Sequence, residues 1–451
     1  MEDDLGKRLR QLGVVKGPKN LKPAGTKPGR SPGDRYRAVS RDDQTTGRNT
    51  EQLSALLPGS YIAENELGAC LVLDHIYPAA YEHGRLKLGE LLDISTNAIA
   101  VFIGDRRLGK MSLDEFVFLD TETTGLMGAG TFAFMVGVAF VEYEAEQAVF
   151  IVRQYFLRDQ ADEPAMLLFL ADLLLERPGL ITFNGRSFDL PLLDNRYVIN
   201  RLDDRTGDLV SRPHIDLLHP ARRLWRRRIG SCSLSSLEKR ILGLTRSQED
   251  VPGWLIPGLY MDYLRSGDAV ELLRVFYHNQ IDMLSMVTLT TQLSRQIVQP
   301  QAIEEPLDLL SLARWQNALG MSGEAESTLL LAAKQDMPLE HFHLALHELG
   351  MLLKRSDRRR EAALQWQQIA VTYVAGMTSG IVALEAHIEL AKHFEWQQRD
   401  LNEAHRWTQQ AISLVNEWDS NRSQLVIADL QYRLTRLERK LGANDIAGQN
   451  D

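Results

Sequence analysis

The sequence predicts a mixed α/β sheet followed by an all-α region. Three observations carry this. Three strand-like runs follow one another between residues 115 and 157. Helix-like and strand-like segments then alternate as far as residue 298. From 306 to 445 helical periodicity runs on with no convincing strand. That order of elements describes a covered mixed sheet joined to a helical unit.

The chain has 451 residues, 44% apolar and 25% charged, ordinary values for a globular protein of several domains. No apolar run reaches the length of a membrane span, and the opening MEDDLGKRLR lacks the apolar core of a secretory signal. Two cysteines, Cys70 and Cys232, argue against a disulfide framework or a cysteine-built zinc site. The expected location is the cytoplasm.

Residues 1–58 read as a disordered basic tail. They hold 12 Lys and Arg against 7 Asp and Glu, so a net charge of −9 leaves −14 on the remainder. Gly, Pro and basic residues dominate, without an apolar period. The stretch is either a solvated linker or a basic arm for phosphate. Residues 59–112 form a small β-containing lead-in, with short apolar runs such as ACLVLDHIY.

Residues 113–298 make the sheet domain. EFVFLD, TFAFMVGVAFVE and AVFIVRQYFL are separated by short turns, as an antiparallel meander requires. EPAMLLFLADLLLE predicts a helix and LITF a strand; a helix over LPLLDNRYVINRL and a short strand at HIDLL follow. Residues 306–445 show a weak internal repeat, marked by Glu324-Ala325, Glu361-Ala362 and Glu403-Ala404 at spacings of 37 and 42. Gly320 and Gly350 supply a small residue in two of the three units. Helical hairpins of that length suggest a tetratricopeptide-like stack; a generic bundle is the plainer reading.

The chemistry begins in FVFLDTETTGL, residues 116–126. Asp120 and Glu122 sit two apart at a strand end, so they share a face. Paired carboxylates raise each other's proton affinity unless a cation neutralises them, and hard oxygens suit Mg²⁺ or Mn²⁺. Alone, Asp-x-Glu is a common turn. Asp189 joins it after the strand LITF, at the start of a helix, where a carboxylate is either a cap or a ligand. Asp282 is a lone acid in the apolar helix VFYHNQIDMLSMVTL, which is costly unless it is paired or holds a metal. His278 lies four residues earlier on the same face; Tyr277, five earlier, points away.

In this order LDTETTG, NGRSFDLPLL and HNQID resemble the three exonuclease motifs of DEDD nucleases on a ribonuclease H-like fold. The resemblance is closest to the YprB-like branch and extends to the proofreading domains of family B DNA polymerases. HIDLLHPARRLW, CSLSSLEKRILGL and DVPGWLIPGLYMDYL match that branch too. It covers roughly residues 59–298 and, more weakly, the repeats. It implies that Asp120, Glu122, Asp189 and Asp282 hold two divalent cations for phosphodiester hydrolysis. The family places His five before the last Asp or Tyr four before it; this chain has Tyr277 at five and His278 at four, each at the other's spacing. Helical geometry and a pKa near neutrality favour His278.

Substrate contacts are expected from Thr121 and Asn184, although Asn184 could simply hold its turn. Asp216 reads as an outer support or as a structural partner. Arg222, Arg223, Arg226 and Arg227 share one helix face, which suits a nucleic-acid backbone or, alternatively, acidic neighbours. The resulting expectation is a 3′→5′ exonuclease on single-stranded DNA or RNA, with the repeats for a protein partner and no membrane contact. The rival is a catalytically silent adaptor.

Overall fold

A computed structural model describes residues 52–125, 130–416 and 421–448. The stretch read as a basic tail lies, up to residue 51, outside them. At its end Leu53 and Leu57 are buried in the core.

A seven-stranded sheet organises the first part of the chain. Its strands are β1 (Tyr61–Asn65), β2 (Gly68–Pro78), β3 (Phe116–Thr123), β4 (Ala133–Glu144), β5 (Gln147–Phe156), β6 (Gly179–Thr182) and β7 (His214–Asp216). They lie in the order β1-β2-β5-β4-β3-β6-β7. The meander β3-β4-β5 is antiparallel as expected, and β6 and β7 add in parallel beside β3. β1 and β2, from the lead-in, extend the same sheet, β2 pairing with β5 and β1 with β2. Asp74 and Arg153, directly opposite in that pairing, join in a two-toothed ion pair at 2.7 and 2.8 Å. The result is a mixed α/β sheet followed by a helical C-terminal region.

Strand alternation assigns the two faces. Phe116 and Phe118 of β3 enter one core, Val117 and Leu119 the other. The same parity carries Asp120 and Glu122 to the Phe116/Phe118 face. That face is covered by the long helix described below, whose Met283, Leu284, Met286 and Val287 join the same core. The register between β3 and β4 shifts at Glu122/Thr123, just beyond the two acids. Such an irregularity ends pairing and re-aims side chains where a strand runs into a site.

The helices used below are α1 (Thr96–Ile103), α2 (Glu163–Glu176), α3 (Asp189–Ile199), α4 (Leu218–Ile229), α5 (Ile256–Ser266) and α6 (Leu272–Val298). Then follow α7 (Pro306–Ala318), α8 (Ser322–Ala333), α9 (Leu339–Arg355), α10 (Arg359–Thr372), α11 (Gly380–His393), α12 (Leu401–Asn416) and α13 (Asn421–Gly448). From α7 onward each packs on the next. The core on the Phe116 face continues from the sheet into these helices without a break, through Trp315, Leu349 and Trp366 as far as Trp407. Phe102 of α1 meets Trp315 of α7 edge-on, with ring centroids 4.7 Å apart.

The two repeat glycines do different jobs. Gly320 follows α7 at φ 79°, a left-handed position that ends the helix. Gly350 lies inside α9, where a Cβ would come within 2.6 Å of the Trp366 indole nitrogen, so it sets how closely α10 approaches.

Candidate metal centre

β3 delivers Asp120 and Glu122 to one face, α3 begins at Asp189, and α6 brings Asp282 across the sheet. Glu122, Asp189 and Asp282 are buried and Asp120 is half-buried. Burial, together with the charges of Asp189, Glu122 and Asp282, pushes Asp120 well above the usual carboxylate range. Burial raises Glu122 to about 7, helped by the charges of Asp282 and Asp189 and countered by His278 and Arg246. Burial raises Asp189 to about 6 in spite of its hydrogen bond from Thr121. Asp282 is raised by burial, with His278 and Arg246 pulling the other way. Among the described residues, Asp120, Glu122 and Asp189 form no ion pair. Ligand atoms of Glu122, His278 and Asp282 lie within 4.8 Å of one another, close enough to share an ion. Buried oxygen donors that repel one another, three of them without an ion pair among the described residues, fit hard divalent ions.

Neighbours fix three of the four acids. The Thr121 hydroxyl donates to Asp189 Oδ1 at 2.5 Å. The Asn279 amide donates to Asp120 Oδ2 at 3.4 Å and its carbonyl accepts from Gln154 at 3.0 Å. Asn279 reaches β4 because Gly137 stands opposite Asp120 there; a Cβ at that position would come within 2.1 Å of the Asn279 oxygen. His278 presents Nε2 to Asp282 Oδ2 at 3.4 Å, while Nδ1 meets Asp250 Oδ1 at 2.7 Å. Burial depresses the imidazole, but Asp282 and Glu122 outweigh it and leave its pKa raised. Tyr277 faces elsewhere: its hydroxyl accepts from the Ser247 backbone N–H at 3.2 Å.

Arg246 is the residue that sequence reasoning missed most plainly. Its guanidinium pairs with Asp282, binds Glu238 at 2.6 and 2.7 Å, and stands 3.1 Å from His278 Nδ1. Glu238 opens a π-helical turn, Glu238–Leu242, and also accepts from Ser285 of α6 at 2.7 Å. Arg246 lies in an irregular segment, so no periodicity pointed to it. Asn279 had a readable signal: a polar residue three before Asp282 on an apolar helix.

The turn after β6 is built by Asp216. Its carboxylate accepts from the backbone N–H groups of Asn184 (2.8 Å), Arg186 (3.2 Å) and Leu218 (3.1 Å). Asn184 sits at φ 69°, and Thr182 Oγ1 accepts from Gly185 at 3.1 Å. These contacts aim the chain into α3 and so place Asp189. Asp216 is thus a turn-former beside the acids and, among the described residues, not the salt-bridge partner that was one of its two expected roles. On α4, Arg222, Arg223, Arg226 and Arg227 are exposed and form no ion pair among the described residues; Arg228 instead grips Asp308 of α7 at 2.8 and 2.9 Å.

A model of the RNase_H superfamily matches residues 117–294, the span that contains all four acids. An uncharacterized protein of Bacillus subtilis (strain 168), YprB, is 30% identical over 390 residues, 84% of this chain and 88% of that protein. The chain belongs to the YprB family. This chain carries an RNase_H superfamily domain, and that superfamily consists generally of hydrolytic nucleases that use divalent metals. No helix among the described residues is long and apolar enough to cross a membrane.

Proposed function

We propose that this YprB-family protein is a DEDD-type 3′→5′ exonuclease that hydrolyses phosphodiester bonds at single-stranded DNA or RNA ends. One observation carries the reading. Four acids from three separate chain segments converge, their carboxyls held above the ordinary range, and three of them form no ion pair among the described residues. Asp120, Glu122, Asp189 and Asp282 would hold two divalent cations, Mg²⁺ or Mn²⁺. Such ions, when bound, supply Lewis-acid polarisation of the phosphodiester.

The chain's own residues do the rest. Asp250 fixes the His278 ring so that Nε2 faces the acids, where it orients or accepts a proton from the attacking water. Thr121 and Asn279 hold Asp189 and Asp120 in place, and Arg246 holds Asp282. Asn184 and the exposed arginines of α4 contact the substrate. A recessed, acid-lined site admits a splayed strand more readily than a stiff duplex. The helices from 306 to 445 act as a tetratricopeptide-like unit that presents a surface to a protein partner, and the enzyme works in the cytoplasm.

The test is digestion of matched single-stranded DNA and RNA oligonucleotides, labelled at the 5′ end, with Mg²⁺ or Mn²⁺. A ladder of products shortened from the 3′ end is expected, and Asp120→Asn and Asp282→Asn abolish it. Unchanged cleavage by both variants sinks the proposal. A second reading draws on Arg246, an internal cation already paired with Asp282: the protein is then a silent adaptor. Calorimetric titration with Mn²⁺ separates the two, because an adaptor shows no uptake dependent on these carboxylates.

A further inference from the structure

The exposed arginines of α4 do not stand alone. Arg222 and Arg226 line two grooves at once. One, about 500 Å³, runs past Phe183, Asn184 and the Gly230–Ser233 stretch. The other, about 560 Å³, adds Arg223 and Arg227 and is walled on its far side by Ser311, Arg314 and Trp315 of α7. The shared residues make the two grooves one path. It starts at Asn184, five residues before Asp189, and ends on the first helix of the C-terminal array.

The path is preformed and strongly positive. The Arg228–Asp308 pair ties α4 to α7, and the Asp308 side chain is 1% exposed. Arg223 lies over the Trp315 ring at 5.5 Å. Burial, and then the charge of Arg314, holds the Arg227 guanidinium below its ordinary pKa. Arg314 itself pairs with Glu348 of α9 at 2.8 Å. In a chain of net charge −9, the row Arg222, Arg223, Arg226 and Arg227, without an ion pair among the described residues, is relieved by a polyanion.

We propose that this groove carries the single strand away from the acid cluster, seating its backbone phosphates on Arg222, Arg226, Arg223, Arg227 and Arg314. The first helix of the array is then part of the nucleic-acid surface and not only a platform for a protein. The proposal rests on the nuclease reading for the direction of the path. Phosphate contacts carry no base preference, so the groove is indifferent to sequence.

The experiment uses the full chain carrying Asp120→Asn, so that binding is read without cleavage. Fluorescence polarisation of long and very short oligonucleotides is followed across a salt series. Adding Arg223→Ala, Arg227→Ala and Arg314→Ala together lowers the magnitude of the slope of log affinity against log salt by about 2, at roughly 0.7 per lost phosphate contact on a single strand. Long strands lose about tenfold or more in affinity, and strands too short to leave the acid cluster lose little. The matching Arg→Lys triple keeps the slope, because the charge remains. An unchanged slope with the alanine triple overturns the proposal. So does equally tight binding of polyglutamate with the same loss, which reassigns the groove to an acidic protein. Cleavage by the otherwise wild-type chain with no slope change overturns the groove alone; a slope change without any cleavage supports the groove and overturns the nuclease reading.

Discussion

The acids at the end of β3 and the acids of the helical array are both buried, and they behave in opposite ways. Glu395, in a π-helical turn after α11, has a side chain 1% exposed, ringed by Arg433 (2.7 Å), Arg436 (2.6 Å) and Lys440 (2.9 Å) of α13. Burial pushes its carboxyl up, but these cations outweigh it and leave the pKa lowered. Glu389, held by Lys354 and Lys392, is lowered as well. At β3 the balance is reversed: Glu122 rises to about 7 and Asp189 to about 6. A buried acid whose charge is met inside the chain is a structural fastener. One whose charge is left unmet holds the fold at a cost, and an ion from outside can remove that cost.

The largest expected effect breaks or sustains that contrast at the chemical step. His278→Ala lowers turnover by about 10² or more, the range for loss of a proton-transfer group, while Tyr277→Phe changes it little. Single-turnover rates with saturating Mn²⁺ measure both. Equal losses would mean that the ring facing the acids is not the working group. Next comes the fastener: Glu395→Gln leaves two arginines and a lysine without their shared acceptor. It costs about 2 kcal/mol by denaturant melt, at the low end for a broken buried pair because those cations are partly exposed. Glu122→Gln has the opposite sign and stabilises the cation-free protein by about 1 kcal/mol at pH 8.

The pH dependence sharpens the same point. A raised folded pKa gives stability that is complete below the unfolded value and lost as pH climbs through the folded one. Glu122 loses it from 4.5 to about 7 and Asp189 from 3.8 to about 6. Cation-free protein therefore melts at lower temperature as pH rises across that span, and Mn²⁺ flattens the decline. Glu395 runs the other way: its contribution is present above 4.5 and fades as pH falls below it. Differences in melting temperature between wild type and each Gln variant, across pH, separate the two regions. The smallest effect is Thr121→Val. It removes the hydroxyl that holds Asp189 and costs activity by about 1 kcal/mol, roughly fivefold, with stability almost unchanged.

The sheet was legible because its central strands are near-continuous apolar runs separated by short turns. Asp120 and Asp282 drew attention because one ends and the other interrupts an apolar run, where an acid needs a reason, and Glu122 only through its spacing of two from Asp120. Arg246 and Asp250 were not. They lie in a segment without period, and their importance comes from contacts 36 and 28 residues away in sequence, with Asp282 and His278. Gly137 was hidden in the same way: in β4 it reads as a weak strand residue, and only the approach of Asn279 explains it. The equivalence of Gly320 and Gly350 failed because spacing cannot distinguish a helix end from a helix crossing.

The unbroken core from Phe116 to Trp407 bears on how this chain is made and removed. A chain still being synthesised exposes the apolar face of α1 and α4 that α7 will cover, with Phe102 waiting for Trp315. Ordering of that face then waits on the C-terminal half. A truncated product would display an apolar surface that quality-control proteases recognise.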